Sequence, residues 1–221
     1  MAEIQSNPDQ SEAFVFDSQK QDLALQKTIF QKYAPSVDGA LRQGEILTNL
    51  KQFKLNIESL RLGKPLAEPI IHPFAIIMTQ DCDCEQDFKP RKDGTISNAT
   101  IPSMLFCEVV MAEDLRNRDK GGKTIDINST VWGQVRINKN ERYHFLEAIP
   151  NTADASGEEL PELALDFKRY FTIPTEEVYY RIEIGEAKRR CRLISPYLEH
   201  LTSRFNYFQS RIALPEDHTS I

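Results

Sequence analysis

The sequence predicts a mainly β domain, a small barrel or a strongly curved antiparallel sheet, with helices at its N-terminal and C-terminal ends. Three observations carry this. Apolar runs of strand length recur through the middle of the chain, turn residues separate them, and the clearest helical periodicity comes only after Ser195.

The 221 residues, 40% of them hydrophobic, supply enough apolar material for one large domain. We expect a polar, irregular stretch over 1–17, a single domain over 18–192 with an N-terminal helix and inserted loops, and a C-terminal docking helix with its tail over 193–221. From Ser18 onward, Leu23, Ile29, Phe30 and Tyr33 suit an amphipathic helix that stops before Pro35. Gly44 to Leu50 reads as a first strand, continued by Phe53, Leu55 and Ile57. Ile70 to Met78 is a β-branched apolar run, as expected of a strand covered on both faces, and it empties through Thr79 into a loop over Gln80 to Asp87. Met104 to Met111 gives a third strand, and a polar excursion to Lys123 follows it.

Ser129 to Ile137 fits helix or strand equally. Arg142 to Leu146, then Leu163 to Phe167 continued by Tyr170 to Pro174, supply the remaining strands, with an acidic loop over Asn151 to Glu162 between them. Ser195 can cap the last helix and Pro196 suits its first turn. Leu198, Leu201, Phe205, Phe208 and Ile212 make one apolar stripe, suited to docking on the sheet or, in a second reading, to an oligomer seam.

Composition narrows the function classes. No window reaches the ~20 apolar residues of a membrane span, and Met1 to Gln10 lacks a signal-peptide pattern, so the expected location is the cytoplasm. The four cysteines, Cys82, Cys84, Cys107 and Cys191, are too few for a disulfide framework. A net charge of −6 means that any contact with nucleic acid rests on a local patch. Phosphate-binding glycine loops, nucleophile elbows and His-Glu-x-x-His helices are missing from the sequence.

The segments Gly44-Glu45-Ile46-Leu47 and Pro73-Phe74-Ala75-Ile76-Ile77-Met78-Thr79, with Met104 to Met111 as third strand, resemble the SH3-like barrel of the PemK/MazF toxin family. In that family a Gly-Asp-(Ile/Val) start is followed by a Pro-x-Leu-Val-Val-Ser core strand. The resemblance covers Leu41 to Leu115 and implies RNA as substrate, with Thr79 at the hydroxyl position. Two departures stand out: Glu45 replaces the aspartate, and Leu62 to Pro69 lacks the usual basic character. The combination of Gln80-Asp81-Cys82-Asp83, Arg142-Tyr143-His144, Leu163 to Phe167, Leu193 to Tyr197 and Arg204-Phe205 is similar to uncharacterised bacterial proteins found near phage-defence and mobile-element operons.

Residues that could carry chemistry concentrate after the core strand. Thr79, Cys82, Asp83, Arg142 and His144 are the candidate catalytic set, with Cys82 as nucleophile, His144 as base and Asp83 as orienting acid. In the bland reading, Cys82 packs as a small hydrophobe and Asp83 pairs with Arg142 or caps a turn. The acidic loop fails as an EF-hand because Gln86 and Lys92 occupy the glycine and glutamate positions. A zinc site would need Cys82, Cys84 and Cys107 joined by His72 or His144, without paired Cys-x-x-Cys motifs. No metal or other cofactor is expected, and His72 reads as a packed histidine.

Two basic clusters are candidate nucleic-acid contacts: Arg116, Arg118 and Lys120, near Lys89 to Lys92, and Lys188, Arg189 and Arg190. The loop from Asp154 to Glu162 has the charge to neutralise the second of them. The expectation is a component of a bacterial defence or toxin–antitoxin-type system that binds or acts on RNA or DNA, with ribonuclease-like phosphodiester cleavage as the chemistry if it is an enzyme. The alternative is a non-catalytic accessory subunit that binds a protein partner from its operon.

Overall fold

The computed structural model describes residues 32–36, 39–95, 97–117, 119–120, 123–124 and 127–211. The polar N-terminus and nearly all of the expected N-terminal helix lie outside them. Where the described chain begins, it is extended.

The strands are β1 (Tyr33–Pro35), β2 (Glu45–Leu55), β3 (Ala67–Ile77), β4 (Ser103–Met111), β5 (Asp119–Lys120), β6 (Lys123–Thr124), β7 (Tyr143–Leu146), β8 (Leu163–Pro174) and β9 (Lys188–Leu193). The helices are α1 (Ile57–Arg61), α2 (Asp81–Lys92), α3 (Ala112–Arg116), α4 (Ser129–Arg136), α5 (Thr175–Glu183) and α6 (Tyr197–Gln209). Seven strands pair antiparallel in the order β1-β9-β2-β3-β4-β8-β7, and β5 and β6 form a separate hairpin. The sheet is not closed into a barrel by main-chain pairing. Laid flat, its two edges would stand almost 30 Å apart at ~4.8 Å per strand. Yet the Tyr33 hydroxyl on β1 donates to the Glu147 carbonyl just after β7 at 3.2 Å, so the sheet is strongly curved.

Both faces are covered, which explains the continuous apolar run in β3. Ile76 joins Ile46, Leu165 and Phe167 beneath Leu201, Phe205 and Phe208 of α6. Ala75 and Ile77 pack on the other face with Phe106, Cys84 of α2 and Val178 of α5. The apolar stripe of α6 is thus buried in its own sheet, so it offers no oligomer seam; Ile212 lies outside the described residues. Gly44, at φ +81°, lets α6 approach the start of β2: a Cβ there would meet Leu198 Cδ1 at 2.7 Å.

Several expectations change. Gln80 to Asp87 is not a loop, because α2 starts at Asp81. Asp81 and Asp83 in its first turn and Lys89, Arg91 and Lys92 in its last complement the helix dipole, and Asp87 forks Arg91 one turn on. The undecided Ser129 tract is helix, since Asn128 caps it by accepting from Val131 N at 2.9 Å. Pro196, not Ser195, holds the N-cap position of α6. The basic run Lys188 to Arg192 is strand β9, deep in the sheet, and Tyr33 stands in a strand because Pro35 biases Ala34 to extended geometry. Ile57 begins α1 instead of extending β2. Leu163 to Pro174 is one strand with an offset, where the β4 partner jumps from Tyr170 to Leu165 and frees Asp166 and Phe167 to turn inward. Among the described residues no helix is long and apolar enough to cross a membrane.

Candidate functional site

The end of β3 places Thr79 at the join with β4, where its Oγ1 accepts from Leu105 N at 2.7 Å. Cys82 stands exposed in the first turn of α2, with Gln80 Oε1 at 3.7 Å and Asp83 Oδ1 at 3.8 Å from its sulfur. It is therefore not the packed cysteine of the bland reading. Asp83 is exposed, and Asp81 accepts from Arg192 Nη2 at 2.9 Å and Gln43 N at 3.2 Å. Arg42 lies 3.2 Å from Glu85 and 3.7 Å from Asp81. This mouth is internally neutralised.

Arg142 and His144 belong to a different place. Arg142 forks the buried carboxylate of Asp166 at 2.8 and 2.6 Å, so it does not pair with Asp83. His144 is buried against α6, its Nδ1 2.8 Å from Arg204 Nη1. An arginine only donates, so that nitrogen carries a lone pair. Burial, Arg204 and His200 together hold the imidazole pKa well below its usual range. Strands β4 and β8 stand between β3 and β7, and α2 covers the sheet face opposite to the one His144 occupies. Cys82 and His144 are not assembled as nucleophile and base.

The zinc set is not assembled either. Cys84 packs under α2 with its thiol pKa pushed up to about 12 by burial, while Cys107 lies on the α6 side, 3.6 Å from the Asp166 carbonyl. No cluster of three metal-ligating side chains occurs among the described residues. His72 is the packed histidine expected, stacked on Phe171 at 3.8 Å.

The β9 arginines are engaged inside the chain. Arg189 forks buried Glu45 and donates to the Ala40 carbonyl at 2.7 Å. Arg190 forks Asp154 at 2.8 and 2.7 Å and reaches Glu158 at 3.0 Å, so of this cluster the acidic loop neutralises Arg190. Lys188 remains exposed.

In the other cluster Arg118 lies outside the described residues and Lys120 belongs to β5. Arg116, at the end of α3, holds its guanidinium 5.9 Å from the centre of the Trp132 ring. A cleft of about 320 Å³ opens there, lined by Glu113, Arg116, Asn117, Trp132, Arg136 and Glu162. Trp132 is half-buried and meets Phe145 edge-on at 6.3 Å, which fixes its ring. Arg136 has Glu162 at 3.9 Å. Two other clefts, about 510 and 270 Å³, contain Arg91 and Arg204, both already bonded: Arg91 to Asp87, Arg204 to Asn138, His144, and the Asn140 and Tyr143 carbonyls. Of these arginines, Arg116 alone has neither a hydrogen-bond acceptor nor an ion-pair partner among the described residues.

No family model, curated protein or solved structure matches this chain.

Sequence reasoning found Arg116 and missed Trp132 and Arg136. The signal was present: with Asn128 as cap, residues 132 and 136 fall one turn apart on one helix face. An aromatic face beside a guanidinium stacks planar groups, and the carboxylates of Glu113 and Glu162 can accept from N–H donors at the edge of such a group.

Proposed function

We propose that this chain binds single-stranded nucleic acid, RNA first, by stacking a base on Trp132, as a non-catalytic component of a bacterial defence or toxin–antitoxin-type system. One observation carries the binding reading: the Arg116 guanidinium, with no ion-pair partner among the described residues, lies over Trp132 in a cleft that also holds Arg136. Base–aromatic stacking with flanking arginines is the usual mode of sequence-tolerant single-strand recognition. RNA and the defence setting rest on the resemblance to PemK/MazF toxins and their SH3-like barrel, which the curved antiparallel sheet supports in outline. The non-catalytic reading rests on Cys82 and His144 lying on opposite faces of the sheet, and on the β9 arginines being neutralised within the chain.

Trp132 is the sole tryptophan of the chain, so its fluorescence reports the site directly. Titration with short RNA homopolymers is expected to quench it to saturation. Because Glu113 and Glu162 can accept N–H donors, poly(U), whose base offers a single ring N–H where cytosine offers a two-hydrogen amino group, should bind more weakly than poly(C). By anisotropy of labelled RNA, Trp132→Ala should weaken binding by about 1–3 kcal/mol, with Arg116→Glu weaker still and Lys188→Ala unchanged. Unquenched Trp132 at saturating RNA, or full affinity in both site variants, would sink the proposal, and RNA cleavage by the purified chain would replace it with an enzyme.

A further inference from the structure

Two carboxylates and two guanidiniums line the Trp132 cleft. Glu113 and Arg116 stand one turn apart on α3, Trp132 and Arg136 one turn apart on α4, and Glu162 comes from the chain just before β8. The frame that carries them is fixed. Ala112 and Leu115 of α3, Val135 of α4, Phe145 of β7 and Ala164 of β8 form one buried cluster, and Ala112 N donates to the Glu162 carbonyl at 2.9 Å. The cleft therefore presents an aromatic face, two cations and two anions at a set spacing.

Such a balance is poor for gripping phosphate alone, because each carboxylate offsets the pull of a neighbouring guanidinium on a polyanion. The two acids differ in their surroundings. Glu162 has Arg136 at 3.9 Å, whereas the exposed Glu113 side chain has neither a hydrogen bond nor an ion pair among the described residues. An ionised carboxylate only accepts, through two oxygens side by side. What it matches at the rim of a stacked ring is a pair of adjacent N–H donors in the ring plane. Among the four RNA bases, guanine alone shows such a pair, N1–H next to the N2 amino group on its Watson–Crick edge. Adenine and cytosine set their amino group beside a bare ring nitrogen, and uracil sets its one N–H between two carbonyls. Facing the Watson–Crick edge of any of these three, one carboxylate oxygen is set against an acceptor.

We infer that the cleft selects guanine: the base stacks on Trp132, Glu113 accepts from its N1–H and N2 amino group, and Arg116 and Arg136 stay with the phosphates. This rests on the single-strand reading proposed above and adds a base preference to it. Stacking on Trp132 alone accepts any base, since every base has a π-face. The carboxylate supplies the choice, because a two-point fork on a base edge discriminates against the bases that cannot complete it.

Labelled short uridine oligomers carrying one central guanosine, inosine, adenosine or cytidine test it on the full chain, by anisotropy with Trp132 emission read alongside. The guanosine oligomer is expected to bind about tenfold more tightly than the adenosine, cytidine and all-uridine oligomers. Inosine, which keeps N1–H and lacks the amino group, should fall between. Glu113→Gln, with one side-chain acceptor in place of two, should erase the guanosine preference, read as a ratio so that a general gain from the lost charge does not enter. Asp114→Asn removes an exposed charge beside the cleft and should keep the preference. Equal affinity for every oligomer, with Trp132 quenched by each, overturns the guanine inference and leaves the stacking reading standing. A guanosine preference that survives Glu113→Gln overturns it as well. Failure of every oligomer to bind defeats the stacking reading, and the guanine inference falls with it.

Discussion

At His144 burial, reinforced by one contact, decides a protonation state. Its Nδ1 lies against the Arg204 guanidinium, so adding a proton there would set two cations against each other under the cover of α6. In the unfolded chain the imidazole titrates near its ordinary 6.5. The unfolded state therefore binds the proton first, and stability is full above pH 6.5 and falls as the pH drops below it. The slope should approach about 1.4 kcal/mol per pH unit until the folded group titrates. His200, whose pKa is also lowered, acts in the same direction. Urea unfolding between about pH 7 and pH 5 should show this loss, and His144→Gln, which can still accept from Arg204, should remove most of it. An unchanged pH dependence in that variant would refute the assignment. That His144 lies on a strand could be read from its place between Tyr143 and Phe145; that its partner is Arg204, 60 positions on, and not a catalytic cysteine, has no local trace in the sequence.

Among the elements, those whose apolar residues follow a period were legible and those held by charge were not. β2, β3, β4, β8 and α6 announce themselves through alternation or a stripe, whereas β9 reads Lys-Arg-Arg-Cys-Arg-Leu and resembles a solvated patch. It is a strand because buried carboxylates from other elements fork its arginines. α2 was missed for a related reason: its buried residues are only Cys84 and Asp87. The candidate cleft followed the same rule, with Arg116 visible as charge and Trp132 hidden by an undecided helix. The pairing in β9 is testable. Asp154→Ala leaves Arg190 buried without its fork and should cost about 3–5 kcal/mol by chemical denaturation, while adding Arg190→Met should restore the part due to the stranded charge but not the hydrogen bonds Asp154 accepts from Ser156 N and Glu158 N. Equal stability of the single and double variants would show that the loss does not come from a stranded Arg190 charge.

For the whole molecule, the net charge of −6 and the neutralised β9 arginines leave little long-range attraction for a polyanion. If the chain binds nucleic acid at Trp132 as proposed, that binding is short-ranged, with stacking as its main component and Arg116 and Arg136 as its phosphate contacts. Each phosphate neutralised on a single strand contributes about −0.7 to the slope of log affinity against log salt, so two contacts give about −1.4. Should Arg118, Lys120 and Lys123 also engage, the slope would steepen toward about −3.5. Measured over a range of salt, a slope near the first value, lost by about half in Arg116→Ala, is what a local stacking site requires. A slope that is steep and indifferent to Arg116 would mean that the chain holds RNA by a broader basic surface, and that Trp132 is not where the strand binds.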